Sequence, residues 1–310
     1  MRILVLGAGA VGGYFGGRMV QAGGDLHFLV RPGRAAQLAD GLRIESPLGD
    51  ATVPVSLLTE GDEAAPFDII LLTCKAYGLD GALESIAPHV RAGTVIAPLL
   101  NGFAHLARIE ARFPDAVVWG GVAKIPATLT AEGTIRHFGG FQGLIFGPRP
   151  GQEDTGPLAE ALVALAASGG VEAAYSADIE QDLWEKWVFL ATLAAATCLT
   201  RTPVGTILRS EGGGAYLDAL LAECSAIARA EGHAPAETVM TGYREQLATA
   251  GSPLVASMLR DLQQGFATEA EHVIGDLLSR ARGHGLATPH LETAWMVLQC
   301  YEIARSDPSG

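Results

Sequence analysis

The chain opens with an apolar run that ends in three glycines at fixed spacing: Met1-Arg-Ile-Leu-Val-Leu-Gly7-Ala-Gly9-Ala-Val-Gly12. Ile3 to Leu6 reads as a buried parallel strand, and the stretch that follows, to Ala22, can be helical. Strand, glycine turn and helix in that order are the setting in which G-x-G-x-x-G cradles a pyrophosphate. Gly7 permits the tight turn, Gly9 lets backbone approach the phosphates, and Gly12 lets helix and strand pack closely. The helix N-terminus then offers unpaired N–H groups and a positive dipole end to the anion. The same three glycines in a turn without ligand would be an ordinary strand-to-helix connection.

The second strand bears on which dinucleotide fits. Asp25-Leu-His-Phe-Leu-Val30 is apolar at its centre and runs into Arg31-Pro-Gly-Arg34. NAD enzymes place Asp or Glu at this strand end, to bind the ribose 2′-hydroxyl. Here the position offers no acid. Arg31 and Arg34 are fixed cations with forked donors, which suits a 2′-phosphate, so NADP(H) is expected over NAD. Two solvated loop arginines are the plainer alternative.

The formal charge of −13 at 310 residues excludes nucleic acid and anionic membrane surfaces as general partners, so any anion site must be built from local cations. Cys74, Cys198, Cys224 and Cys300 lie far apart without CxxC spacing, and no histidine pair has HExxH spacing. Neither a metal site nor a disulfide framework is expected. The longest apolar run, Trp187 to Leu199, is too short to span a bilayer. The glycine turn explains the apolar N-terminus better than a signal peptide does, and a cytoplasmic location with reduced thiols is expected.

Short apolar runs alternate with Gly/Pro-marked loops to about residue 150, giving candidate strands at 2–6, 25–30, 42–45, 52–56, 68–73, 94–98 and 117–122. Helical stretches between several of them point to βαβ units in a doubly wound α/β sheet. Gly133 to Gly140 and Gly143 to Gly147 suggest a late hairpin, and 156–168 a helix. From Ala177 the periodicity is helical, over 179–199, 213–232, 236–249, 268–283 and 288–305. The expected organisation is a Rossmann-type domain over 1–172 and an all-helical domain over 173–310.

Chemistry in open α/β sheets sits outside the carboxyl ends of the strands. Lys75 follows the strand ending at Cys74, where a cation could meet the cofactor or a substrate carboxylate; a surface lysine is the alternative. Asn101-Gly102 follows the strand over 94–98, as a simple turn or as a contact to nicotinamide or substrate. Lys186 heads a helix that carries no charge from Trp187 to Thr200. Burial at such an edge lowers a lysine pKa and makes it a usable proton donor, although snorkelling or pairing with Glu185 or Asp182 would also account for it. Thr268 and Glu271 have capping-box spacing, which leaves Glu269 to pair with Lys186 or to bind a substrate hydroxyl.

In order along the chain, Gly7-Ala-Gly-Ala-Val-Gly-Gly-Tyr-Phe-Gly16, the Arg31 loop, Cys74-Lys75-Ala-Tyr77, Asn101-Gly102, Gly120-Gly-Val122, Gly133-Thr-Ile-Arg-His137, Leu183-Trp-Glu-Lys186 and Ser257-Met-Leu-Arg-Asp261 with Thr268-Glu269 resemble the ketopantoate reductases (2-dehydropantoate 2-reductases). The resemblance covers nearly the whole chain. It implies an NADP-binding Rossmann domain, a helical C-terminal domain and an active site between them. It further implies hydride transfer from NADPH to the 2-carbonyl of a small 2-keto acid, the reaction of pantothenate biosynthesis, in a cytoplasmic enzyme with a homodimer as candidate assembly. By the same resemblance Gly7, Gly9, Ala10, Val11, Gly12 and Arg31 bind the cofactor, and Lys75 and Asn101 contact cofactor and substrate. Lys186 would protonate the developing alkoxide, Glu269 would be its acidic partner, and Ser257 would contact the substrate carboxylate.

Three positions depart from the pattern. The family's asparagines four and eight residues after the lysine are Leu190 and Ala194 here, and the one three residues before the serine is Leu254. A pocket that loses amides loses its means of selecting a hydroxylated substrate. A relative acting on a more apolar keto acid, another carbonyl or an imine is the nearest alternative. A non-catalytic NADP(H)-binding sensor is the alternative of another class.

Overall fold

The structure, a computed structural model, describes residues 1–152 and 155–307. The strands are β1 (Arg2–Leu6), β2 (Asp25–Leu29), β3 (Leu42–Glu45), β4 (Ala51–Val53), β5 (Ser56–Leu58), β6 (Ile69–Leu72), β7 (Val95–Pro98), β8 (Val117–Lys124), β9 (Ala127–Leu129), β10 (Ile135–His137), β11 (Gly143–Pro148) and β12 (Glu172–Tyr175). The helices are α1 (Ala10–Gln21), α2 (Pro32–Gln37), α3 (Leu79–Ile86), α4 (Ala104–Arg112), α5 (Gly156–Ser168), α6 (Ile179–Thr200), α7 (Val204–Ile207), α8 (Gly213–Ala230), α9 (Glu237–Ala248), α10 (Ser257–Gln263), α11 (Asp276–Gly283) and α12 (Pro289–Ser306). They form two compact units. The first holds Met1–Leu100 and His105–Asp182, and the second Asn101–Ala104 and Leu183–Gly310. The first unit thus keeps β12 and continues past residue 172, where the sequence pattern suggested a division.

In the first unit, eight strands lie in the order β12-β11-β8-β7-β6-β1-β2-β5. From β5 across to β8 they are parallel, β11 runs antiparallel to β8, and β12 is parallel to β11. The chain moves one way from β1 to β2 and then returns to place β6 on the other flank of β1. That is the topological switch point of a doubly wound sheet, and ligands bind outside the carboxyl ends of the strands there. β1, β6 and β7 are almost wholly buried aliphatic runs, as parallel strands covered on both faces must be.

A smaller sheet, β4-β3-β10-β9, lies against α1. The helix is therefore enclosed, with Gly12 to Met19 buried. A side chain at Gly16 would meet the Phe28 ring at 2.7 Å, and one at Gly13 would meet Ile135 at 2.4 Å. The small residues of α1 are what let two sheets close on one helix.

Two expectations are corrected here. The residues 133–147 do not form a hairpin: β10 pairs with β3 and β9 in the smaller sheet, whereas β11 pairs with β8 and β12 in the larger. The stretch 52–56 is two strands, because Pro54 cannot donate to a ladder. β4 ends before it and joins β3, and β5 begins after it and joins β2.

In the second unit, α6 is buried continuously from Ala191 to Cys198. Thr192 and Thr197 are tolerated there because their hydroxyls donate to the carbonyls of Val188 and Leu193, at 2.8 and 2.6 Å. The indole N–H of the buried Trp187 donates to the Val273 carbonyl at 2.9 Å. Residues 271–275 form one π-helical turn before α11.

Candidate active site

The glycine turn is held by its own strand neighbours. The Gly7 N–H donates to the Leu29 carbonyl at 2.9 Å, and Gly7 takes φ +91°, which only glycine adopts cheaply. Thr73, just past β6, donates its hydroxyl to the Leu6 carbonyl at 2.7 Å, tying the two strand ends at the switch point together. A Cβ on Gly12 would lie 2.3 Å from the Thr73 hydroxyl oxygen and 2.4 Å from the Gly7 carbonyl oxygen. Protein therefore fills the space beside Gly12. Beside Gly9 the opposite holds: a Cβ there would have nothing within 4 Å. Gly9 caps α1, and its carbonyl accepts the Gly13 N–H at 2.9 Å. Ala10 and Val11 supply the first turn of α1, whose opening N–H groups have no partner within the helix. No acid occupies that turn, so its positive end is unopposed locally. An open cradle with donors at a positive helix end fits a pyrophosphate.

Arg31 caps α2 and is exposed, with Pro32 as the first helical residue. Arg34 is directed inward. Its Nε and Nη2 donate to the Ala8 carbonyl at 3.0 and 2.8 Å, and its Nη1 donates to the Gly133 carbonyl at 2.8 Å. The two arginines read together as phosphate ligands thus have different surroundings. Lys75 is half-buried and precedes the short 3₁₀ turn Ala76–Gly78.

Asn101, Lys186, Ser257 and Glu269 belong to the second unit. Gly102, at φ +75°, brings the Asn101 loop so close to His272 that a Cβ would sit 2.8 Å from its carbonyl oxygen. Phe103 then packs its ring 4.9 Å from Trp184 and 5.3 Å from Trp187. The guanidinium of Arg280 stands over all three rings at 5.4–5.8 Å. The loop that begins at Asn101 therefore meets the turn at 271–275 through Gly102 and α6 through Phe103. Sequence reasoning missed this cluster: the spacing of Trp184 and Trp187, three apart on one helix face, is the signal that could have found half of it, whereas Phe103 and Arg280 carry no local signal.

Lys186 is half-buried on α6. Of the carboxylates near it in sequence, Glu185 accepts the Ala236 N–H at 2.9 Å and Asp182 accepts the Ser176 hydroxyl at 2.5 Å. Glu269 is buried, at 7% exposure. Its neighbour Thr268 departs from the expected capping box. The Thr268 N–H and hydroxyl both donate to Glu302 of α12, each at 2.7 Å, so Glu302 and not Glu271 takes that N–H. Ser257 is exposed at the start of α10, which is joined to α6 by the Ala256 N–H donating to the Thr197 hydroxyl at 3.3 Å. Leu190 and Leu254 are half-buried, and Ala194 is fully buried.

None of the four cysteines is in a disulfide. Burial pushes the thiols of Cys198 and Cys224 up to about 12, which leaves no thiolate to act as nucleophile there. Among the described residues no cluster of His, Cys, Asp or Glu is placed to hold a metal ion, and no helix is long and apolar enough to cross a membrane.

A doubly wound sheet with an open glycine cradle, followed by a helical unit, defines a dinucleotide-binding architecture. Comparison with known proteins narrows it. The family model described as ketopantoate reductase PanE/ApbA matches residues 3–151, and that of the ketopantoate reductase PanE/ApbA C terminal matches residues 178–302. The chain is 37% identical to the uncharacterised oxidoreductase YkpB of Bacillus subtilis, over 98% of this chain and all of that one. It is 29% identical to a 2-dehydropantoate 2-reductase of Halobacterium salinarum, over 94% and 96% of the two chains. The solved 2-dehydropantoate 2-reductase of Methylococcus capsulatus superposes with a TM-score of 0.88 at 26% identity, covering 100% and 99%. The chain belongs to the ketopantoate reductase family of oxidoreductases.

Proposed function

We propose that the protein reduces a small 2-keto acid with NADPH, 2-dehydropantoate being the first candidate substrate. The observation that carries this reading is the contrast within the glycine turn. Protein occupies the space beside Gly12 and leaves the space beside Gly9 open, as a pyrophosphate requires. Gly7, Gly9, Ala10, Val11 and Gly12 would hold the pyrophosphate through backbone N–H groups, and the exposed Arg31 would face the 2′-phosphate. When bound, NADPH supplies the hydride for the C2 carbonyl carbon.

The residues of the chain supply the rest. As the carbonyl oxygen gains negative charge, an ammonium at Lys186 stabilises it and gives it a proton. Glu269, buried next to the Thr268–Glu302 anchor, fixes the charge and direction of that ammonium. Asn101 orients nicotinamide or substrate, and Lys75 and Ser257 receive the substrate carboxylate. A cytoplasmic location and a homodimeric assembly belong to the same proposal and rest on the family resemblance alone.

A second reading keeps the reaction and changes the substrate. With Leu190, Ala194 and Leu254 where relatives place amides, the pocket favours a more apolar keto acid, another carbonyl or an imine. A panel of 2-keto acids assayed by NADPH oxidation separates the two. The expected result is turnover of at least one member, and Lys186→Ala lowering kcat by about 10²–10⁴-fold with NADPH affinity nearly intact. Tight NADPH binding without turnover of any member would mark a cofactor sensor instead. A Lys186→Ala variant retaining most of its kcat would remove Lys186 from the chemistry.

A further inference from the structure

Arg34 reads in the sequence as a companion to Arg31, yet its side chain lies within the first unit. Two of its nitrogens converge on one acceptor, the Ala8 carbonyl, at 3.0 and 2.8 Å. The third donates to the Gly133 carbonyl at 2.8 Å and to Oε1 of Gln37 at 3.1 Å. Gly133 sits at the tip of the turn between β9 and β10, with φ +86°, and a Cβ there would come within 2.6 Å of the guanidinium. Every one of these partners is a neutral oxygen. Burial lowers the Arg34 pKa from its ordinary value, and a guanidinium in a protein remains a cation at neutral pH.

The acceptor matters more than the cation. Ala8 lies between Gly7 and Gly9, and in a trans peptide the carbonyl and the following N–H point in opposite directions. Drawing the Ala8 carbonyl toward Arg34 turns the Gly9 N–H the other way. Without that hold, the carbonyl lone pairs are free to swing toward an incoming phosphate and repel it. We propose that Arg34 is a positioning residue for the phosphate turn: it acts through the Ala8 carbonyl, on the pyrophosphate that NADPH and NADH share, and not on the 2′-phosphate. This rests on the reading that a nicotinamide dinucleotide binds at the glycine turn.

The test is direct titration of NADPH and NADH into wild type, Arg34→Ala, Arg34→Lys and Arg31→Ala. Loss of one well-directed N–H to a charged phosphate predicts that Arg34→Ala weakens both cofactors about ten- to a hundredfold, by the same factor. Arg34→Lys, with one donor able to reach the Ala8 carbonyl, recovers part of that loss for both. Arg31→Ala weakens NADPH more than NADH. A merely structural role would lower the melting temperature of Arg34→Ala and leave the dissociation constants of the folded protein alike, which would overturn the proposal. A changed NADPH-to-NADH ratio in Arg34→Ala would also overturn it, by making Arg34 a 2′-phosphate contact. Should Arg34→Ala fail to fold, Arg34→Lys decides: equal weakening of the two cofactors supports the role, and wild-type binding of both overturns it. Wild type binding neither cofactor would instead bring down the cofactor reading on which the proposal stands.

Discussion

Gly9→Ala separates what the fold needs from what the ligand needs. Gly9 has φ −81° and ψ −162°, extended backbone open to any residue, and an added Cβ has no neighbour within 4 Å. Two small effects oppose each other. Alanine is a poorer N-cap than glycine, by roughly 0.5–1 kcal/mol. It also restricts the unfolded chain, which stabilises by about 0.4–1 kcal/mol. The net is near zero, and the melting temperature should stay within about 3 °C of wild type. Cofactor affinity should not survive. A methyl on the open side pushes the pyrophosphate away from the N–H groups, and one lost charge-assisted hydrogen bond costs about 1.5–3 kcal/mol, roughly ten- to 150-fold in Kd. Gly12→Ala is the contrasting case. Its Cβ must clear both the Thr73 hydroxyl and the Gly7 carbonyl, at 2.3 and 2.4 Å. The overpacking costs about 1–3 kcal/mol and lowers the melting temperature as well as affinity. Thr73→Ala should not rescue it, because the Gly7 carbonyl is backbone and remains in place. Calorimetric melting combined with NADPH fluorescence titration reads both quantities. A Gly9→Ala protein that melts like wild type and binds NADPH as tightly refutes the placement of phosphate at this turn.

The remaining predictions concern the helical unit. Leu190→Asn, on the α6 face shared with Lys186 and Ala194, should raise kcat/KM for 2-dehydropantoate relative to an alkyl 2-keto acid by about two- to tenfold, the worth of one hydrogen bond. An unchanged ratio with a lowered melting temperature would make Leu190 ordinary core. Burial alone would raise the Glu302 carboxyl, but the hydrogen bonds from Thr268 and Arg305 outweigh it and hold the group below its ordinary 4.5. A depressed folded pKa stabilises above the unfolded value, and that contribution is lost as pH falls through the folded one. Melting temperature followed from about pH 7 to pH 3 should therefore fall more steeply in wild type than in Glu302→Gln, and parallel curves would show that Thr268 needs no charged anchor.

How much of this was legible depended on the distance over which each feature is decided. The strand, turn and helix of the first twenty residues are local: apolar run, glycine spacing and helical periodicity all act on neighbours, and the structure bears them out. α5 and most helices of the second unit were legible for the same reason. The errors come where local spacing fits one partner and the fold supplies another. Thr268 and Glu271 stand at capping-box distance, yet the carboxylate that takes the Thr268 N–H comes from Glu302, one helix away. The residues on either side of Phe138 to Gln142 resemble two hairpin arms, yet β10 finds β3, far back in the chain, because that sheet must cover α1.

Arg34 extends the same reasoning to function. Its chemistry, a forked cation beside a phosphate turn, is visible in the sequence, but its acceptor is not. An arginine at a strand end can serve a ligand or the loop that meets the ligand, and residue type and spacing are identical in the two cases. The difference lies in where the backbone carbonyls are. Here the Ala8 and Gly133 oxygens stand within 3.0 Å of the guanidinium, and Arg31, three residues earlier, is left exposed. Specificity for the 2′-phosphate is then expected to fall on Arg31 alone. The preference for NADPH over NADH should accordingly reflect one arginine, of the order of ten- to a hundredfold, and a much larger preference would require a second cation that this turn does not supply.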